Sequence, residues 1–182
     1  MSQIPYINIP KVDPNRSYPY LDFQNVSPKI FYSYLKRSNF DDYINPEVIP
    51  LPKRATSYSA GYDFVSPITV TISPGQLIVI PSGIKCKIEI PGLYLELHTR
   101  SSISIKGLSI GYGSTSIIDA DYYNNENNEG MILLPIRNNS ENDITITKGD
   151  KIVQGIFTNF YIIDNDKPLA KKRSGGVGST GR

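Results

Sequence analysis

The chain has 182 residues, 39% of them hydrophobic, with a formal net charge of +2 and a single cysteine. That length fits one domain with tails, and the near-balance of charge argues against both global disorder and a basic surface built for polymeric nucleic acid. The lone Cys86 excludes an internal disulfide or a cysteine-based metal cluster and reads as a small strand residue in a reducing compartment.

No charged leader with an apolar stretch opens the chain, and no apolar run approaches the roughly 20 residues of a membrane span. A soluble, intracellular, most simply cytoplasmic protein is expected, with no membrane partner. Residues 1–48, rich in Pro, Tyr and Asn, form an extension with one helix expected over Pro28 to Phe40, where Ile30, Phe31, Tyr34 and Leu35 share a face. No chemistry is legible there. From Ala60 the texture changes to short β-branched runs: ITVTI, QLIVI, GIKCKIEI, LYLELHT, GMILLPI, DITIT and KIVQGIF. In Asp143-Ile144-Thr145-Ile146-Thr147 the alternation puts isoleucines on one face and threonines on the other. Turn signals stand between the runs at Ser73-Pro74-Gly75, Pro81-Ser82-Gly83, Pro91-Gly92 and Lys148-Gly149-Asp150. Closely spaced strands without an intervening helical pattern predict an all-β sandwich or jelly roll over residues 49–166.

Several segments carry candidate chemistry. In Ala60-Gly61-Tyr62-Asp63 and Gly149-Asp150-Lys151-Ile152-Val153-Gln154 an acid or an amide stands near a glycine turn, suited to a magnesium-bound water or a phosphate. Thr99-Arg100-Ser101-Ser102 offers a planar guanidinium and two hydroxyls to phosphate oxygens, or is a polar strand cap. His98, the only histidine, has no partner visible in sequence and reads as a structural or surface residue. In Ile117-Ile118-Asp119-Ala120-Asp121-Tyr122 a carboxylate follows an apolar pair expected to be buried, the setting either of a positioned, partly desolvated base or of a structural turn acid, and Asp121 reads as a turn acid. The tail Lys171 to Arg182, KKRSGGVGSTGR, combines cations, hydroxyls and glycines fit for a phosphate chain but lacks the flanks of a Walker loop.

In order, AGYDF, TRSS, SIIDADY, GDKIVQ and RSGGVGSTG resemble the five motifs of the trimeric dUTPase family, over about Ile49 to Arg182. The resemblance implies a dUTPase-like jelly-roll, or β-clip, domain at 49–166, a glycine-rich lid at 167–182, and hydrolysis of dUTP to dUMP and pyrophosphate. It implies that Asp119 deprotonates the attacking water. Tyr122 packs under the deoxyribose and rejects a 2′-hydroxyl. Arg100, Ser101, Ser102 and Gln154 bind phosphate, and Asp63 acts on Mg2+ through water, the ion being chelated chiefly by the triphosphate. Lys172, Arg173, Gly175, Gly176, Val177, Gly178, Ser179 and Thr180 close over the nucleotide. It further implies a homotrimer whose sites draw motifs from all three subunits.

The chain departs from the family pattern at Val177, where an aromatic ring is usual, at Lys172 in place of arginine, at Ser116 in place of glycine, and at Tyr123. Which of Lys172 and Arg173 meets phosphate stays open. About six extra residues around Asn124 to Glu129 lengthen the third-motif hairpin and read as a solvated loop extension. Two rivals stand beside this reading. A dCTP deaminase needs a catalytic glutamate where this chain has Pro135, and a non-catalytic nucleotide-binding or protein-interaction module would have kept the scaffold without turnover.

Overall fold

The computed structural model describes residues 21–40, 49–111, 113, 115–168 and 175. Among these, eleven strands form three antiparallel sheets. One has the order β1 (Leu21–Asn25), β5 (Leu77–Ile88), β9 (Met131–Asn138), β7 (Leu108–Ile110). The second has β2 (Lys53–Arg54), β3 (Tyr62–Val65), β11 (Lys151–Asn159), β6 (Leu93–Thr99), β8 (Ser116–Ile118). The third pairs β10 (Ile144–Ile146) with β4 (Val70–Ile72). Alternation aims Ile80, Leu134 and Ile136 of one large sheet and Phe64, Leu95, Leu97 and Val153 of the other into one buried core. The expected all-β architecture is therefore present. In β10 the predicted parity holds, with Ile146 buried and Thr145 outside, its hydroxyl 2.8 Å from that of Thr71.

The N-terminal helix forms as α1 (Pro28–Arg37). Ser27 caps it, accepting from the Ile30 N–H; proline opens the first turn, and Lys36 and Arg37 sit at the negative end of the helix dipole. The strand before it was not expected. β1 pairs with residues 84–88 of β5, and its Phe23 ring packs edge-on to Phe64 at 5.6 Å and beside Tyr62 and Phe157 at 5.4 and 5.8 Å. Residues 21–40 thus share the domain's core.

The turn predicted at Pro81-Ser82-Gly83 does not occur. Two expected strands are one, β5, interrupted by an irregularity between Pro81 and Lys85. Gly83 takes a φ of +72° there, and the Ser82 hydroxyl bonds both the N–H and the carbonyl of Ile84. The irregularity lets β5 pair with β9 along its first half and with β1 along its second. Cys86 lies inside β5 at 1% exposure, its thiol pushed up to about 12 by burial and then by the Asp22 charge, so it is an inert packing residue as expected. Among the described residues no helix is long and apolar enough to cross a membrane.

Candidate active site

The outer face of the larger sheet gathers the first cluster. Register places Gln154 of β11 between Asp63 of β3 and His98 of β6, so the three side chains share one face across adjacent strands. Arg100 follows β6 and begins α2 (Ser101–Ile105). Its Nε lies 2.8 Å from Asp63 Oδ1, and Lys151 Nζ lies 3.1 Å from Oδ2. The Asp63 side chain is only 6% exposed. Lys151 and Gln154 are three residues apart and by simple alternation would face opposite ways; a register shift between Lys151 and Val153 puts both on the Asp63 side. Gly61 permits this packing, because a Cβ there would meet Gln154 Oε1 at 2.5 Å.

Asp63 therefore holds Arg100 in place. Its Oδ2 has the Lys151 charge beside it but no hydrogen bond, and is a buried acceptor with capacity left. Ser101 and Ser102 are exposed on the first turn of α2, where backbone N–H groups point outward beside the guanidinium. The result is a cationic, donor-rich corner of the kind that binds phosphate oxygens. His98 has the partner that sequence did not reveal, with Nε2 3.6 Å from Glu96 Oε1 on the same face, so it is engaged in a surface pair.

The second cluster is elsewhere. Asp119 follows β8 and caps the 3₁₀ turn Ala120–Tyr122, its carbonyl accepting from the Tyr122 N–H at 3.1 Å; of the apolar pair before it, expected to be buried, only Ile118 is, while Ile117 is exposed. It lines a cleft of about 440 Å³ with Asp121, Tyr94, Gly92 and Phe160, a size that admits a nucleoside-like body. Tyr122 is 5% exposed and its hydroxyl donates to the Met131 carbonyl at 2.9 Å. Because Ile118 pairs with Leu95, Asp119 comes level with Tyr94, six residues along β6 from Arg100. At about 3.3 Å per residue that is roughly 20 Å. One chain thus brings Asp63, Arg100, Ser101, Ser102 and Gln154 together, brings Asp119 and Tyr122 together, and keeps the two groups apart.

Of the tail, only Gly175 among the named residues lies within the described set. It is buried, and a Cβ at that position would overlap the Asn127 side chain. Lys172, Arg173, Gly176, Val177, Gly178, Ser179 and Thr180 lie outside the described residues. The hairpin extension differs from expectation. Asn125 and Asn128 are 6% and 1% exposed and bond the turn that carries Tyr122, so it is no loosely solvated loop. Lys151 and Asn128, which contact the candidate residues Asp63 and Tyr122, were not singled out by the sequence. Parity hid the first, and the second showed only as one of several polar residues in NNENNEG.

The family model for dUTPase matches residues 47–181. A deoxyuridine 5′-triphosphate nucleotidohydrolase of Lactococcus lactis is 41% identical over 134 residues, covering 73% of this chain and 89% of that protein. One from Actinobacillus pleuropneumoniae is 33% identical over 141 residues, 73% of this chain and 88% of its own. A crystal structure of the dUTPase from Streptococcus mutans superposes with a TM-score of 0.62 at 34% identity, over 79% of this chain and 98% of that one. The dUTPase of phage phi11 of S. aureus, 21% identical with a TM-score of 0.59, shares the fold. The family match begins after α1, so β1 and α1 lie outside it. Five motifs in order, an antiparallel β fold, a clamped arginine and these likenesses lead to one conclusion: the chain belongs to the dUTPase family.

Proposed function

We propose that the chain hydrolyses dUTP to dUMP and pyrophosphate with Asp119 as the base that takes a proton from the attacking water. The observation that carries the phosphate half of this reading is the Arg100 side chain fixed at 2.8 Å on the buried Asp63. A guanidinium held in advance needs no reorganisation when negative charge builds on the leaving pyrophosphate, and in a site closed to bulk water it acts at reduced dielectric. Ser101 and Ser102 supply hydroxyls beside it, and Gln154 an amide on the adjacent strand. In-line attack at the α-phosphorus then requires the base on the opposite side of the phosphate chain from this cluster.

Within one chain Asp119 stands roughly 20 Å from that position, by strand rise. Each complete site therefore combines Arg100 and its neighbours from one subunit with Asp119 and Tyr122 from another, in a homotrimer. Tyr122 forms the floor under the deoxyribose, and residues 167–182, with Lys172, Arg173, Gly176, Val177, Gly178, Ser179 and Thr180, form the lid over the nucleotide. A protein-built metal cage is not part of this reading: among the described residues no three acidic, histidine or cysteine side chains group together. The residues fit Mg2+ carried on the triphosphate, and Asp63, whose buried Oδ2 retains acceptor capacity, is the side chain that would act on it through water. The ion would neutralise phosphate charge and shape the chain for in-line attack. At the position where a deaminase would need its glutamate, Pro135 lies in β9 opposite Val79.

Two measurements test the proposal. With Mg2+, a panel of dUTP, dCTP, dTTP and UTP gives pyrophosphate release preferentially from dUTP; ammonia from dCTP, or no turnover by folded protein, contradicts it. Co-refolding inactive Asp119→Asn chains with inactive Arg100→Ala chains restores activity if sites are shared, since some sites then receive both intact groups. Activity that stays at the parental level places the whole site in one chain.

A further inference from the structure

The hairpin extension around Asn124 to Glu129 uses its asparagines in a specific way. Asn125 Oδ1 accepts from the N–H groups of Asn127 and Asn128, each at 3.1 Å, while its Nδ2 donates to the Tyr122 carbonyl at 2.9 Å and to Asn128 Oδ1 at 2.7 Å. Asn128 Oδ1 also accepts from the Gly130 N–H at 3.0 Å. Asn128 Nδ2 donates to the Tyr122 hydroxyl at 2.7 Å and to the Met131 carbonyl at 3.1 Å. Backbone groups fix which way each amide points, because Gly130 N–H only donates and Met131 C=O only accepts. At the far side of the loop the Glu129 carboxylate accepts from the Ser27 N–H at 3.0 Å and pairs with Lys85 at 3.4 Å, so the loop is braced against α1 and β5.

The Tyr122 phenol thus ends in a closed set of bonds, donating to Met131 and accepting from Asn128. We propose that Asn128 is a positioning residue that sets discrimination between deoxyribo- and ribonucleotides by holding the Tyr122 ring in place. The proposal rests on the reading of Tyr122 as the ring beneath the sugar. A ring excludes a 2′-hydroxyl only if it cannot retreat from it. Here retreat breaks hydrogen bonds at a buried hydroxyl where no water replaces them, so the ring's position is maintained from its para end. Asn128 acts through Tyr122 and does not touch substrate.

The test is the ratio of kcat/KM for dUTP to that for UTP in wild type, Asn128→Ala, Tyr122→Phe, the double variant and Tyr122→Leu. The ratio cancels the fraction of folded enzyme, so a merely structural role lowers both substrates together and leaves it unchanged. We expect Asn128→Ala and Tyr122→Phe each to lower the ratio about tenfold, and the double variant to lower it by less than the product of the two, since the hydrogen bond between these side chains is lost in both. Should Asn128→Ala yield no folded protein, Tyr122→Phe reads the same contact from its other side. An unchanged ratio in these variants, or additive effects in the double, overturns the role of Asn128 while a lowered ratio in Tyr122→Leu keeps the sugar-floor reading. An unchanged ratio in Tyr122→Leu overturns that reading and the inference with it.

Discussion

Replacing Asp63 with asparagine keeps the volume of the side chain and removes its charge, isolating what the carboxylate does for Arg100. The Arg100 contact, at 2.8 Å to an oxygen on a side chain 6% exposed, falls in the class of charge-assisted contacts that contribute about 1.5–3 kcal/mol. Lys151 is 47% exposed, which places its pairing with Asp63 in the surface class of about 0–1 kcal/mol. Together Asp63→Asn costs about 2–4 kcal/mol. For a chain of this length each kcal/mol moves Tm by about 2–4 °C, so the variant melts about 5–15 °C below wild type when compared at equal protein concentration. Turnover of dUTP falls as well, because the guanidinium loses its fixed aim. Thermal unfolding followed by circular dichroism checks the first result and pyrophosphate release the second. A Tm within 2 °C of wild type refutes the claim that Asp63 holds the corner together. Lys151→Met serves as the comparison and shifts Tm far less.

Other consequences follow from neighbouring contacts. Gly130→Ala puts a Cβ 2.6 Å from the Tyr122 carbonyl at a φ of +79°, against backbone that cannot give way; it destabilises by about 2 kcal/mol or more and lowers dUTP turnover, checked by denaturant unfolding and kinetics. Hydrogen bonding from Ser27 holds the Glu129 carboxyl below its ordinary range against the opposing effect of partial burial, and Lys85 adds to it. A depressed folded value means that the stabilisation is present above the unfolded carboxylate range and is lost as pH falls through the folded value. The Tm difference between wild type and Glu129→Gln is therefore full at pH 7 and shrinks as pH falls below the ordinary carboxylate value; a difference that stays constant or grows over that fall contradicts the assignment. A chain ending at Lys171 loses most dUTP turnover while its Tm is nearly unchanged; full activity in that chain refutes the lid.

The amino-acid pattern revealed those parts of the fold in which each strand obeys its own alternation. Ile144, Thr145 and Ile146 took the faces that parity predicts, and α1 began at Pro28 as expected but ended at Arg37, short of Phe40. Parity failed where the backbone is irregular. The Pro81-Ser82-Gly83 signal marks a bulge, because β1, too short and too mixed in composition to stand out, supplies a second partner strand that keeps β5 extended. The register shift in β11 likewise turned Lys151 toward Asp63 against simple alternation. Arg100 and Asp119 could be singled out as candidates because charged groups stood directly after strand-forming runs. Asn128 was not, since asparagine is common in turns and only the fold reveals that it is 1% exposed beneath a tyrosine hydroxyl. The wide separation of the Arg100 and Asp119 clusters follows from strand pairing, which motif order along a chain does not encode.

Asp119→Asn tests the assignment of the base with the least disturbance of shape. In this variant dUTP turnover falls by a factor of about 10² to 10⁴, the usual contribution of a positioned base, while dUTP binding measured by calorimetry in the presence of Mg2+ stays within a few-fold of wild type. Turnover retained within a factor of about three, in a variant that still binds dUTP, would contradict it.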